Sequence, residues 1–131
     1  MSIGVKEIAF IGYPVTDFEK SRAFYGDVLG LKEATVMENE DGPHWVEYDI
    51  HGSTLALAPA GDHWKPDPNG GGVSLEVEDI DAALAHLREN GNEPMMDVGD
   101  FPQCRIAVIQ DPDGNGIALH QRKPNHPDFK A

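Results

Sequence analysis

A strand-end histidine, a few carboxylates and a tryptophan in a loop supply most of the chemistry this chain can offer. His120 ends the run "NGIALHQ". Near neutral pH its imidazole can donate and accept hydrogen bonds or exchange a proton; the competing reading is an exposed histidine at a strand end. Glu76, in "GGVSLEV", is the other candidate for acid–base work. Trp64 follows His63 in the Pro/Gly-rich stretch "GDHWKPDPNGG". It either flanks a binding site, packs on a partner subunit, or fills space beneath its loop. Cys104 is the single cysteine, which rules out an internal disulfide and a Cys-rich metal site. No recognisable partner motif makes it a nucleophile, and a free cysteine is more often simple packing. His44, His51, His63, His120 and His126 show no tight helical spacing of the kind that holds a metal. "NGGG" precedes a strand rather than a helix, so it is not a phosphate loop.

Two strand-like runs carry further polar groups whose direction the pattern leaves open. "PHWVEYD" puts Trp45, Glu47 and Asp49 on one face and His44, Val46 and Tyr48 on the other. "CRIAVIQ" holds Cys104, Arg105 and Gln110 with the same ambiguity.

The 131 residues suit one compact domain, and a hydrophobic fraction of 40% is enough for a core. The net charge of −13 argues against nucleic acid, since phosphate binding wants a basic face. It suits solubility, or a cationic ligand. No apolar run reaches the ~18 residues of a membrane span, and "MSIGVKEIAF" lacks a signal-peptide core. The expectation is a cytoplasmic protein with no membrane partner.

The elements that position these groups occur twice. "DIHGSTLALAP" from Asp49 reappears as "DPDGNGIALHQ" from Asp111, an offset of 111 − 49 = 62. At that offset "PVTDFEKSRAFYGDVLG" falls on "EVEDIDAALAHLRENG", with Asp17 on Asp79, Phe18 on Ile80 and Tyr25 on Leu87. Both read as amphipathic helices. Phe18, Arg22, Tyr25 and Leu29 share one face, as do Ile80, Ala83, Leu84 and Leu87. Thr16 with Glu19 has the form of a capping box, and Gly30 and Gly91 are stop signals. A strand precedes each helix ("EIAFIGYPV", "GGVSLEV"). Three follow it: "EATVMEN", "HWVEYDI", "STLALAP", and then "EPMMDV", "CRIAVIQ", "NGIALHQ". Each half is thus β-α-β-β-β, a duplicated module rather than a solenoid. The organisation is module 1 at about 5–60, a linker at about 60–71, module 2 at about 72–122 and a polar, loosely ordered tail at 123–131.

These features resemble the vicinal oxygen chelate superfamily, the glyoxalase, bleomycin-resistance and extradiol-dioxygenase group. The resemblance rests on "VTDFEKSRAFYGDVLGL", "RENG" and "DPDGNGIAL", and extends over about Lys6–Gln121. It implies an α+β fold in which two βαβββ modules form a cupped mixed sheet with helices outside. It also implies a homodimer. Metal-dependent members place four ligands in the cup, on the first and last strands of each module. Those positions fall here on Phe10, Ala56, Gly72 and Ala118, none of which has a donor atom. The register is internally consistent, because Phe10 pairs with Gly72 and Ala56 with Ala118 at the same offset. A one-residue slip offers Ile11, Leu57, Val73 and Leu119; a two-residue slip offers Gly12, Ala58, Ser74 and His120, with one good ligand.

Under this resemblance Leu55, Leu57, Ile117 and Leu119 face the helices. Phe10, Thr54, Ala56, Trp64, Gly72, Ser74, Glu76, Ala118 and His120 are the ligand-binding set. No metal ligand, cofactor or catalytic residue is assigned. The expected function is metal-independent binding of a small organic molecule, with drug sequestration as one form of it. The alternative is a glyoxalase- or dioxygenase-like enzyme using His120 or Glu76 for acid–base chemistry, or a relocated divalent metal.

Overall fold

Asp17 and Asp79 each begin a helix in the same way. The side chain of Asp17 accepts from the Lys20 N–H at 3.1 Å, and that of Asp79 from the Ala82 N–H at 3.1 Å. The cap of the first helix is therefore Asp17, one residue beyond the expected Thr16, and the duplicated aspartates are the repeated signal. The computed structural model describes Ser2, Gly4 and residues 6–129. The expected module start at position 5 and the tail end at 130–131 lie outside the described residues.

The chain forms two compact units, residues 1–65 and 66–131. In the first, β1 (Ile11–Val15) leads to α1 (Phe18–Arg22), then β2 (Lys32–Asn39), β3 (Gly42–Ile50) and β4 (Ser53–Pro59). In the second, β5 (Ser74–Glu76) leads to α2 (Ile80–Glu89), then β6 (Met96–Asp100), β7 (Cys104–Gln110) and β8 (Gly116–Arg122). Each unit folds a four-stranded mixed sheet, ordered β1-β4-β3-β2 and β5-β8-β7-β6. The first pair in each order is parallel and the others antiparallel. The α+β class and the βαβββ plan stand. Some strands are shorter or displaced. Glu7–Phe10 precede β1, and β6 begins at Met96, beyond Pro94, which has no N–H for a ladder.

The first helix departs from a regular amphipathic turn. Beyond α1, Ala23–Val28 form a π-helical turn. The wider winding moves the buried stripe to Ser21, Phe24 and Tyr25, while Phe18, Arg22 and Leu29 are only half-buried. Gly30, at φ 75°, then reverses the chain. Tyr25 is fully buried, with its ring 5.3 Å from Phe24, 5.9 Å from Tyr48 and 6.3 Å from Tyr13. Burial, followed by the nearby Glu33 charge, pushes the Tyr48 phenol up to about 12. In α2 the expected face holds: Ile80, Leu84 and Leu87 are buried.

Each repeated turn is headed by an aspartate whose side chain accepts from backbone N–H groups of the turn. Asp49 accepts from the Gly52 N–H at 3.1 Å. Asp111, 4% exposed, accepts from the Asp113 N–H at 2.9 Å, the Asn115 N–H at 2.8 Å and the Asn115 side-chain amide at 2.9 Å. Residues 123–129 are hydrogen-bonded rather than loose. The Lys123 N–H reaches the Gln103 carbonyl at 2.9 Å, and the Asn125 side chain donates to the Pro102 carbonyl at 3.0 Å.

Candidate functional site

The two faces of each sheet are told apart by strand pairing, because directly paired residues share a face. In the first unit Ile11, Leu55 and Tyr48 pair in one row, and Tyr13, Leu57 and Val46 in the next. The contacts of Tyr25 with Tyr13 and Tyr48 make this the helix-covered face. The opposite, helix-free face carries Gly12, Ala56 and Glu47 in one row, with Thr54 beside Asp49. The question left open by "PHWVEYD" is thereby answered: Trp45, Glu47 and Asp49 lie on the helix-free face.

Two aromatic rings, those of Phe10 and Trp64, lie over Gly12. Phe10 meets Trp45 edge-on at a centroid distance of 5.2 Å. A Cβ built on Gly12 would come within 3.0 Å of the Trp64 ring and 3.3 Å of the Phe10 ring. Glycine here is a matter of space, as both rings occupy the place of a side chain. Trp64 is held in position by a tight turn, with reciprocal backbone hydrogen bonds between Gly61 and Trp64 at 3.0 and 3.3 Å. Phe10 and Trp64 remain 44% and 41% exposed, which is unusual for rings that could have joined the core. The Trp45 indole N–H donates to Glu47 Oε2 at 2.8 Å, so a carboxylate borders the aromatic group. Ala56 lies on this face but is fully buried, and Thr54 is half-buried.

In the second unit Ser74 pairs with Ala118 and Glu76 with His120. Val108 continues the first row and Ile106 the second. The alternate residues Ala107, Ile109, Ile117 and Leu119 are buried, and Arg105 binds Asp81 of α2 at 2.9 and 3.0 Å. Arg105 therefore serves the helix side, whereas Cys104 and Gln110 fall on the helix-free side with Ser74, Glu76, Ala118 and His120. A groove of about 220 Å3 runs along this side, lined by Pro68, Gly72, Ser74, Val108 and Ala118 among others. A larger one, about 690 Å3, lies on the helix side of the first unit beside Phe18, Arg22 and Glu33. Its Arg22 and Glu33 already satisfy each other at 2.7 and 3.1 Å, and it holds none of the expected residues. The chemistry therefore favours the helix-free faces over the larger volume.

Glu76 and His120 form the tightest polar contact there, Oε1 to Nδ1 at 2.6 Å. The Arg122 N–H donates to Glu76 Oε2 at 2.8 Å. Burial by itself would raise the Glu76 carboxyl. The His120 and Arg122 hydrogen bonds and the Arg122 charge together outweigh it and hold the carboxyl below its ordinary value. The sign follows: a carboxyl depressed on folding stabilises the native state above its unfolded value, and this is lost as pH falls through the folded value. The Glu76 side chain is 37% exposed, so solvent screening keeps the contribution small. Thermal melts of Glu76→Gln should show a slightly lower Tm than wild type at pH 7, with the gap closing at pH 3.

Phe10, Ala56, Gly72 and Ala118 offer no donor side chain. Glu47 is engaged by Trp45, and Glu76 and His120 by each other. No group of three or more His, Cys, Asp or Glu suited to a metal occurs among the described residues. Nor, among them, is any helix long and apolar enough to cross a membrane.

Known proteins place this architecture. The model of the Glyoxalase/Bleomycin resistance protein/Dioxygenase superfamily matches residues 7–119. YaeR of Escherichia coli (strain K12) is 28% identical over 129 residues, covering 92% of this chain and 99% of that protein. A probable lactoylglutathione lyase of Synechocystis sp. (strain ATCC 27184 / PCC 6803 / Kazusa) is 30% identical over 116 residues, covering 82% and 88%. Among solved structures, TnmS3, an antibiotic binding protein from Streptomyces sp. CB03234, superposes with a TM-score of 0.76 at 27% identity, covering 93% of this chain and all of that one. The chain belongs to the glyoxalase/bleomycin resistance protein/dioxygenase superfamily.

Proposed function

We propose that this protein binds a small organic molecule on the helix-free faces of its sheets without the help of a metal ion, in the manner of a sequestering protein. The observation that carries this is the pair of exposed rings, Phe10 and Trp64, over Gly12, with the half-buried Trp45 edge-on to Phe10. Aromatic rings left in water beside a few polar groups are what a largely apolar ligand needs. The half-buried Thr54 borders that surface, and Ala56 lies buried beneath it. Gly72, Ser74, Glu76, Ala118 and His120 form the corresponding surface of the second unit. The antibiotic-binding role of TnmS3 supports the reading, and the charge of −13 favours cationic or neutral ligands over anions.

Both tryptophans of the chain, Trp45 and Trp64, belong to the aromatic group, so intrinsic fluorescence reports on it directly. Titration with a panel of aromatic antibiotics should quench that fluorescence saturably. Trp64→Ala should weaken the same ligand by about 1–3 kcal/mol, roughly five- to a hundred-fold, through lost contact area. Ligands that bind with no fluorescence change and tolerate Trp64→Ala would remove this surface from the site.

The Glu76–His120 contact and the lyase relative favour one further reading, an enzyme that moves a proton with these side chains. Product analysis of any bound ligand separates the two, since sequestration returns it unchanged. A cytoplasmic homodimer completes the proposal. Light scattering that gives only the 14.3 kDa monomer mass across micromolar concentrations would overturn the dimer.

A further inference from the structure

The orientation of one imidazole points to the chemistry of the ligand. Glu76 accepts from the Arg122 N–H on Oε2 and meets His120 Nδ1 on Oε1 at 2.6 Å. An ionised carboxylate only accepts, so the proton in the second contact belongs to His120 Nδ1. In the neutral ring, as distinct from the imidazolium, Nδ1–H leaves the lone pair on Nε2. The His126 ring stands edge-on to His120 at 5.9 Å, and His126 Nδ1 is itself engaged by the Asp128 N–H at 3.0 Å. The remaining neighbours on this face by pairing are the apolar Ile106, Val108 and Ala118, with Ser74 beside Ala118, and at the far end Cys104 paired with Arg122, whose Nε lies 3.8 Å from Glu76 Oε1. The His120 side chain keeps 20% exposure, so it is neither sealed in the core nor free in solvent.

We propose that Glu76 is a positioning residue that fixes His120 as its Nδ1–H form, so that Nε2 accepts a hydrogen bond and selects ligands carrying a phenolic hydroxyl. This rests on the small-molecule reading above and names the ligand class of that surface. A lone pair demands a donor. Among donors, a phenol is acidic enough to bond an imidazole strongly, and its flat apolar ring suits Ile106, Val108 and Ala118.

Two measurements test this on the intact chain. Long-range proton–nitrogen NMR at pH 8 should show His120 with Nδ1 protonated and Nε2 bare, and Glu76→Gln should shift it toward a mixture of tautomers. A purely structural role for Glu76 would leave the tautomer unchanged. Titration with 2-naphthol and with 2-methoxynaphthalene should show the hydroxyl compound binding about five- to a hundred-fold tighter, the range set by one buried hydrogen bond. His120→Phe should erase the preference. A bare Nδ1 on His120, equal binding of the two compounds, or no binding of 2-naphthol at millimolar concentration overturns the inference. Equal and saturable binding of both would do so while leaving metal-free small-molecule binding standing.

Discussion

Tyr25→Ala should destabilise the protein by about 3–5 kcal/mol, the range for truncating a large buried aromatic, and on this scale it is the most damaging single substitution we expect. Tyr25 is fully buried and is the one ring that touches Phe24, Tyr13 and Tyr48 together. It thus joins the π-helical turn to β1 and β3. Removing it leaves a cavity bounded by rings that cannot all collapse inward, because Tyr13 and Tyr48 are fixed in paired strands. Tyr25→Phe keeps the ring and should cost far less. Urea denaturation of both variants checks the claim; similar midpoints for Tyr25→Ala and wild type would show that the core does not depend on this ring.

Asp111→Ala should lower stability by roughly 2–4 kcal/mol, because it removes the buried carboxylate that accepts three hydrogen bonds. The donors are the Asp113 and Asn115 N–H groups and the Asn115 amide. Asn115 in turn accepts from the Asp67 N–H at 3.3 Å, so the loss also loosens the segment entering β5. The effect should reach the site, since this turn sets the start of β8, the strand carrying Ala118 and His120. Ligand affinity measured well below the Tm should fall along with stability. By contrast Asp49→Ala, in the equivalent but exposed turn, loses a single bond at 3.1 Å and should cost well under 1 kcal/mol.

Much of this was legible in the residues. β4 and β7 were bounded as Ser53–Pro59 and Cys104–Gln110 because turn residues bracket alternating apolar runs. The duplication exposed the module plan, and pairing places Ser74, Glu76, Ala118 and His120 on one face of their sheet. The π-helical turn was not legible, since an apolar pattern at a spacing of three to four fits either winding until packing decides. Thr16 and Asp17 are both good caps, and only the recurrence of aspartate at Asp17 and Asp79 distinguishes them. The direction of Trp45 and Glu47 was undecidable from β3, whose two faces are equally amphipathic. It follows only from the pairing of Glu47 with Ala56. The approach of Trp64 to Gly12 joins positions fifty-two apart (64 − 12), and no local pattern encodes it.

Ligand binding that needs no metal is the central claim. The most direct measurement is calorimetric titration of an aromatic ligand into protein stripped with a chelator, beside the same protein supplied with excess Zn, Ni or Mn. The donor-free residues Phe10, Ala56, Gly72 and Ala118 predict the same affinity in both samples and well below one metal ion per chain by elemental analysis. Binding that vanishes on stripping and returns with a stoichiometric ion would contradict it.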